Sequence, residues 1–364
     1  MLAKEAGAAW VDLNCGCPIY EATRRGLGSA LLRKPAKLAE LVGGLVEGSP
    51  LPVSVKLRLS AAGAKDVNAL AHIEALAALG ENRPAFVTLH ARTATQRYGK
   101  AATWEDVEAC ARAAGDAFPV LGNGDVLTHF EARRKRELAP SAAGLMVGRG
   151  ALINPWIFDD IRNEKTWLPT AAERLEVYYS LAVGYRDAFG DDKRGKKSAF
   201  YFLPFHFNFF HRWRPLPEAH FGGWDVPLIQ NGREVETALE AIEGPRSALA
   251  PLEQLLRCAH ADAGDALADA LWSSRSVADA IAAATALATP ENLRAWEQPD
   301  VETEDEAEGH SPPKQDGASR GRNRSTRTNR STRTEEEIVA IRAERAAKKR
   351  AAEEAGESPV AVSE

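Results

Sequence analysis

Five short apolar or β-branched runs recur along the first half of the chain: Trp10–Leu13, Val53–Leu59, Phe86–His90, Pro119–Leu121 and Gly144–Val147. Stretches of helical periodicity stand between them. Lys34–Glu47 is one. Asp66–Leu79 is another, with Leu70, Ile73, Leu76 and Leu79 on one face, and Trp104–Ala114 and Phe130–Leu138 are shorter. Strand, helix, strand at intervals of about 25–45 residues predicts βαβ units and a parallel sheet.

Polar residues and glycines gather just past each run. Cys17 follows the first, and Lys56 and Arg58 end the second. His90 and Arg92 end the third, Asn123-Gly124-Asp125 follow the fourth, and Gly148-Arg149-Gly150 follow the fifth. Chemistry-bearing residues at the C-terminal ends of successive parallel strands mark a (β/α)8 TIM barrel. A doubly wound sheet would place its glycine-rich loop after the first strand. A closed barrel needs eight units and five are visible. Residues 1–8 read as the end of a helix, so the expectation is a partial barrel over residues 1–165 lacking about three N-terminal βα units.

The pattern changes after Asn154-Pro155-Trp156. Residues 166–292 show helical periodicity without clear strands and predict an α-helical domain. Leu175, Tyr178, Tyr179, Leu181 and Tyr185 give one helix an aromatic face. Residues 199–213 are apolar all round and predict a buried segment, which Pro204 should kink or divide. Residues 293–364 read as a charged tail, disordered from about residue 297. Glu297–Glu308 holds seven acidic residues and no base, and Arg320–Thr334 holds six arginines and no acid and contains a tandem Asn-Arg-Ser-Thr-Arg-Thr repeat. Glu335–Ala355 could form a charged single helix.

Composition narrows the class. The 364 residues are 45% hydrophobic with a net charge of -5, so a sizeable core is available and the whole chain has no bias toward nucleic acid. Four cysteines (Cys15, Cys17, Cys110 and Cys258) form no disulfide framework and lack the ligand count of a zinc site. No run reaches the length of a membrane span, and no signal peptide is visible. A cytoplasmic or nuclear protein, without metal or membrane, is the expectation.

The most informative stretch is Asn14-Cys15-Gly16-Cys17-Pro18, placed directly after the first strand-like run. A loop thiol on a rigid scaffold suits catalysis better than a helical one, although a thiol beside a strand is often only filler. With Gly26-Leu27-Gly28-Ser29-Ala30-Leu31-Leu32, this stretch resembles the active-site motif of the tRNA-dihydrouridine synthases. Val55-Lys56-Leu57-Arg58 resembles their Lys-x-Arg strand, and His90-Ala91-Arg92-Thr93 with Gln96-Arg97-Tyr98 their His-Gly-Arg loop. Gly122-Asn123-Gly124-Asp125, Gly148-Arg149-Gly150-Ala151 and Asn154-Pro155-Trp156 complete the set. The resemblance is good over residues 1–165 and loose over 166–215, and looks most like the eukaryotic branch that modifies the tRNA variable loop.

The resemblance implies reduction of uridine to dihydrouridine in tRNA, with FMN as cofactor and NADPH or NADH as reductant. It makes Cys17 the acid that protonates C5, and a neutral thiol suits that role. Lys56 and His90 would hold the flavin, a cation near its ring stabilising the reduced form. Asn123, Gly124, Asp125, Gly148, Arg149 and Gly150 map onto the FMN phosphate site. Arg92, Gln96, Arg97, Tyr98 and Lys100 would face RNA, as would Arg24 and Arg25. Lys193, Arg194, Lys196 and Lys197 form a second basic patch, and a monomer is expected. Two departures stand out: Ala91 replaces the usual glycine of His-Gly-Arg, and Thr103 replaces an aspartate, keeping an N-cap hydroxyl. Two other readings compete. One is an inactive truncated fragment acting as an RNA-binding remnant; the other is a flavin barrel acting on free pyrimidines.

Overall fold

The computed structural model describes residues 1–61, 69–96 and 98–297. Most of the predicted tail, its arginine repeat and the helix expected over Glu335–Ala355 lie outside the described residues, as do Arg97 and the first residues of the helix predicted from Asp66.

Five strands form one sheet: β1 (Val11–Cys15), β2 (Val53–Arg58), β3 (Phe86–His90), β4 (Val120–Asn123) and β5 (Gly144–Met146). Every pairing is parallel, in the order β1-β2-β3-β4-β5. Parallel crossovers are right-handed, so a strand order that never reverses puts every crossover helix on the same side. That is the wall of a (β/α) barrel; a doubly wound sheet would reverse and carry helices on both faces.

The helices before β5 are α1 (Leu2–Glu5), α2 (Tyr20–Thr23), α3 (Pro35–Gly48), α4 (Ala69–Ala77), α5 (Trp104–Ala114) and α6 (His129–Leu138). Pro35 opens α3 at the position where a missing N–H costs nothing. Thr128 caps α6 by accepting from the Glu131 N–H. Thr103 stands at the N-cap of α5 but makes no such bond. Its hydroxyl donates instead to the Ala91 carbonyl at 3.4 Å, so the expected capping role is not taken up.

Cα partners across a parallel ladder share a face, and faces alternate along each strand. One face carries Cys15, Val55, Leu57, Val87, Leu89 and Val120, all buried in one cluster with Leu38, Val42, Ile73, Leu76 and Val107 of the helices. Ala91 belongs to this apolar side and is fully buried. The other face carries Asp12, Asn14, Ser54, Lys56, Arg58, Thr88, His90 and Asn123. Alternation between apolar and polar along β1, β2 and the end of β3 therefore divides the sheet into a structural side and a chemical side.

Beyond β5 come α7 (Arg149–Ile153), α8 (Ile157–Asn163), α9 (Ala171–Phe189), α10 (Lys193–Ala199) and α11 (Leu203–Phe210), then six further helices between Glu218 and Ala295. A capping box at Thr170 and Glu173 starts α9. Leu175, Tyr178, Tyr179 and Ala182 of α9 enter a second cluster with Leu203, Phe207, Phe210, Leu267 and Leu271, which also takes in Leu127, Phe130, Ile153 and Trp156. Pro204 lies in the first turn of α11, so the aromatic segment is divided there. It is not buried all round: Tyr201, Phe202 and Phe205 are exposed, because a helix presents only Leu203, Phe207 and Phe210 to the core.

Glu131 ties α6 to the helical region. Its carboxylate accepts from the Leu127 and Leu228 N–H groups, both at 2.9 Å, and from the Thr128 hydroxyl at 3.2 Å. Arg134 adds bonds to the carbonyls of Gly222 and Trp224.

Candidate functional site

The loop after β1 is fixed from three sides. The Asn14 side chain accepts from the N–H groups of Gly16 and Cys17, both at 3.0 Å, which bends the chain out of the strand. The Arg58 Nε donates to the Gly16 carbonyl at 2.8 Å, and the Ser29 N–H donates to the Cys17 carbonyl at 2.8 Å. Gly28 packs on the same carbonyl with φ of 58°. The two cysteines part as alternation requires. Cys15 ends β1 on the apolar side, fully buried, and burial pushes its thiol up to about 12. Cys17 is half-buried in the loop.

The polar face supplies the neighbours. Lys56 Nζ donates to Asn123 Oδ1 at 3.1 Å, and the Asn123 amide donates to the Met146 carbonyl at 2.7 Å, tying β2, β4 and β5 together. Burial and the nearby Arg58 charge lower the Lys56 ammonium to about 8, so it still carries its charge at neutral pH. His90 is lowered to about 2 by burial and by the cations Arg58, Lys56, Arg92 and Arg149. It is a neutral imidazole. The Thr88 hydroxyl is buried on this face with no hydrogen-bond partner among the described residues. Arg58 also donates to the Thr93 carbonyl at 3.1 Å, so one guanidinium spans from the cysteine loop to the loop after β3.

Behind this face lies a buried ion pair. Arg92 Nη2 reaches both oxygens of Asp125, at 2.6 and 2.7 Å, and both side chains are 0% exposed. The Ala102 N–H and the Gln230 amide donate to the same carboxylate, each at 2.7 Å. Arg92 further donates from Nε and Nη2 to the Lys100 carbonyl at 3.1 and 2.8 Å.

The residues assigned to RNA do not share one surface. Arg24 and Arg25 are exposed after α2, and Lys100 and Tyr98 are exposed in the loop after β3. Arg92 is instead fully enclosed with its donors committed to protein acceptors, a place where it cannot meet a polynucleotide. Gln96 is half-buried and stitches its own loop, accepting from the Thr93 N–H at 3.4 Å and donating to the Ala101 carbonyl at 2.9 Å. The Tyr98 ring lies 3.5 Å from the Arg149 guanidinium carbon. Asn123, Gly124 and Asp125 are buried, Gly148 is exposed, Arg149 is half-buried and Gly150 is buried. Asp125 is spent on Arg92, so of the phosphate set only Arg149 offers a partly open charge, 3.9 Å from that carboxylate.

Arg58, which the Lys-x-Arg motif contains without a role of its own, and Gln230 are further members of the site. Arg58 was legible as the second cation of Lys-x-Arg. Gln230 had no local signal, since it meets Asp125 from 105 positions away. Among the described residues no group of three or more His, Cys, Asp and Glu could hold a metal ion, and no helix is long and apolar enough to cross a membrane. A cation, a neutral imidazole, an amide and an unpartnered hydroxyl on one face, beside a half-exposed thiol, suit a flat ligand with polar edges.

Residues 1–197, more than half of the chain, match the dihydrouridine synthase family. The human protein named tRNA-dihydrouridine(47) synthase [NAD(P)(+)]-like is 33% identical over 216 residues, covering 59% of this chain and 32% of its own length. Its Arabidopsis thaliana namesake is 30% identical over 243 residues, with 63% and 34% covered. The Debaryomyces hansenii tRNA-dihydrouridine(47) synthase [NAD(P)(+)] is 35% identical over 222 residues, with 57% and 35% covered. The chain spans about a third of the length of these curated relatives. Parallel barrel architecture, ordered motifs at the strand ends and the match over residues 1–197 agree: the chain belongs to the dihydrouridine synthase family.

Proposed function

We propose that this protein reduces uridine to 5,6-dihydrouridine in tRNA, with FMN as cofactor, NADPH or NADH as reductant and Cys17 as the proton donor to C5. On this reading residues 1–165 are the catalytic part, 166–292 an RNA-binding helical part and 293–364 a tail. The observation that carries it is the polar sheet face: Lys56, His90, Asn123 and the unpartnered Thr88 hydroxyl stand together, next to the fixed cysteine loop.

These groups fit FMN. Lys56 would hold the electron-rich edge of the ring as an ammonium, and His90 would offer a neutral donor. Arg149 and the turn at Gly148 would take the phosphate, Gly148 having open space around it. Such a cofactor, when bound, supplies hydride transfer from the nicotinamide to the pyrimidine. The protein's own task is to place the base and deliver one proton from Cys17 Sγ. Arg58 supports that task by clamping the Gly16 carbonyl, which holds Cys17 still. Arg24, Arg25, Tyr98 and Lys100, exposed among the described residues, would meet phosphates at the rim, and Arg97 is assigned to RNA with them by its place in the sequence.

The test is direct. The purified 364-residue chain is examined for flavin absorbance and then assayed on tRNA lacking dihydrouridine and on free uracil. Bound flavin, product in tRNA and none from uracil are expected, with Cys17→Ala losing most of the product while retaining the flavin. Wild-type product levels in Cys17→Ala would remove Cys17 from the reaction, and activity on uracil alone would favour the free-pyrimidine reading.

A further inference from the structure

His90 and Arg92 are in direct contact, with Arg92 Nη1 3.2 Å from His90 Nε2. A guanidinium has donors only and does not deprotonate in proteins. The bond can therefore run in one direction, with Arg92 donating and Nε2 accepting. A neutral imidazole that accepts at Nε2 carries its proton on Nδ1. The contact thus specifies one tautomer, provided Arg92 stays where it is.

What keeps Arg92 in place is Asp125, and what keeps Asp125 in place comes partly from the helical region. Both Asp125 oxygens accept from Arg92 Nη2, and each takes one further donor. Oδ2 accepts from the Ala102 N–H and Oδ1 from the Gln230 amide, both at 2.7 Å. Asp125 also adopts a left-handed φ of 55°, a conformation a non-glycine residue holds only when its surroundings insist. Gln230 sits in the short turn Leu228–Gln230, anchored by the bond from the Leu228 N–H to Glu131.

We propose that Gln230 is a positioning residue: acting through Asp125 and Arg92, it fixes His90 with its proton on Nδ1, so that Nδ1–H is the donor the imidazole has to offer. The helical region is then part of the site's construction as well as a candidate RNA surface. The position of the proton concerns the protein alone; its value to the reaction rests on the flavin reading above.

The experiment uses the whole 364-residue chain without cofactor, labelled with ¹⁵N in its histidine rings, at neutral pH. Long-range ¹H–¹⁵N correlation assigns the tautomer of His90, the signal being identified by its loss in His90→Asn. Wild type should show the Nδ1–H form. Gln230→Met keeps the length and packing of the side chain and removes its donor; the Nδ1–H to Nε2–H ratio should fall roughly three- to ten-fold, the net worth of one ordinary hydrogen bond. Gln230→Glu places a second carboxylate against Asp125 and should shift the ratio at least as far. A purely structural Gln230 would alter stability and leave the tautomer alone. An Nε2–H or doubly protonated His90 in wild type, or an unchanged ratio in folded Gln230→Met, overturns the proposal. Flavin absorbance of the protein as purified, before the cofactor is removed, reports separately on the cofactor reading.

Discussion

Gly28 and Gly26 form a natural pair for testing whether the cysteine loop is held by steric fit. Both adopt left-handed backbone, with φ of 58° and 75°. They differ in surroundings. A Cβ on Gly26 would meet nothing within 4 Å, whereas one on Gly28 would stand 2.4 Å from the Cys17 carbonyl oxygen and 3.1 Å from its Cβ. Gly26→Ala therefore carries the conformational cost alone, about 1–2 kcal/mol. Gly28→Ala carries the same cost plus the displacement of backbone that cannot rotate away, about 1–3 kcal/mol more. The Ser29-to-Cys17 bond of 2.8 Å would break with it, and Cys17 would move. Urea denaturation measures the first effect. The rate of labelling by a thiol reagent measures the second, because Cys15, Cys110 and Cys258 are buried and Cys17 is the cysteine within reach. The expected result is a Gly28→Ala penalty exceeding that of Gly26→Ala by at least about 1 kcal/mol, with an altered labelling rate only in Gly28→Ala. Equal penalties and equal rates would refute the packing argument.

Two further outcomes follow from buried polar groups. His90 is held down to about 2 against an ordinary value of 6.5, so the unfolded chain takes up a proton that the folded chain refuses, and stability falls as pH drops through that window. By pH 5 the loss from this one group is about 2 kcal/mol, and His90→Asn should flatten the acid side of the stability profile by that amount; an unchanged slope between pH 7 and 5 would contradict the burial assigned to His90. Glu131→Ala strands the Leu127 and Leu228 N–H groups, with an expected penalty of about 3 kcal/mol in urea denaturation, while Glu131→Gln, which keeps one acceptor, should cost less; a loss under about 1 kcal/mol in the alanine variant would mean the carboxylate is not the anchor it looks.

Much of the barrel was readable because each strand carries its own signature, an apolar run that ends in polar residues. Phe86–His90 shows it plainly: its last residue turns to the chemical face and the preceding leucine to the core. What could not be read locally depends on partners far along the chain. Arg92 stands in a run of basic and aromatic residues that resembles a solvated loop, yet Asp125, 33 positions later, draws it fully inside. Gln230 has no motif at all, and only the folded chain brings it to the site. The aromatic segment after Ala199 misleads by composition, since Pro204 restarts the helix and leaves Tyr201, Phe202 and Phe205 toward solvent. Thr103 has the right residue type for a cap, but the Ala91 carbonyl competes for its hydroxyl.

Glu131 serves two masters. Its main-chain N–H completes the cap of α6, and its carboxylate clasps the backbone just before that helix and the backbone of the Leu228–Gln230 turn, 97 positions further on. The turn cannot leave α6 without stranding a buried carboxylate oxygen and the Leu228 N–H. Heating should consequently produce a single cooperative transition across the barrel wall and the helices, with no stage at which one survives as an independent folding unit.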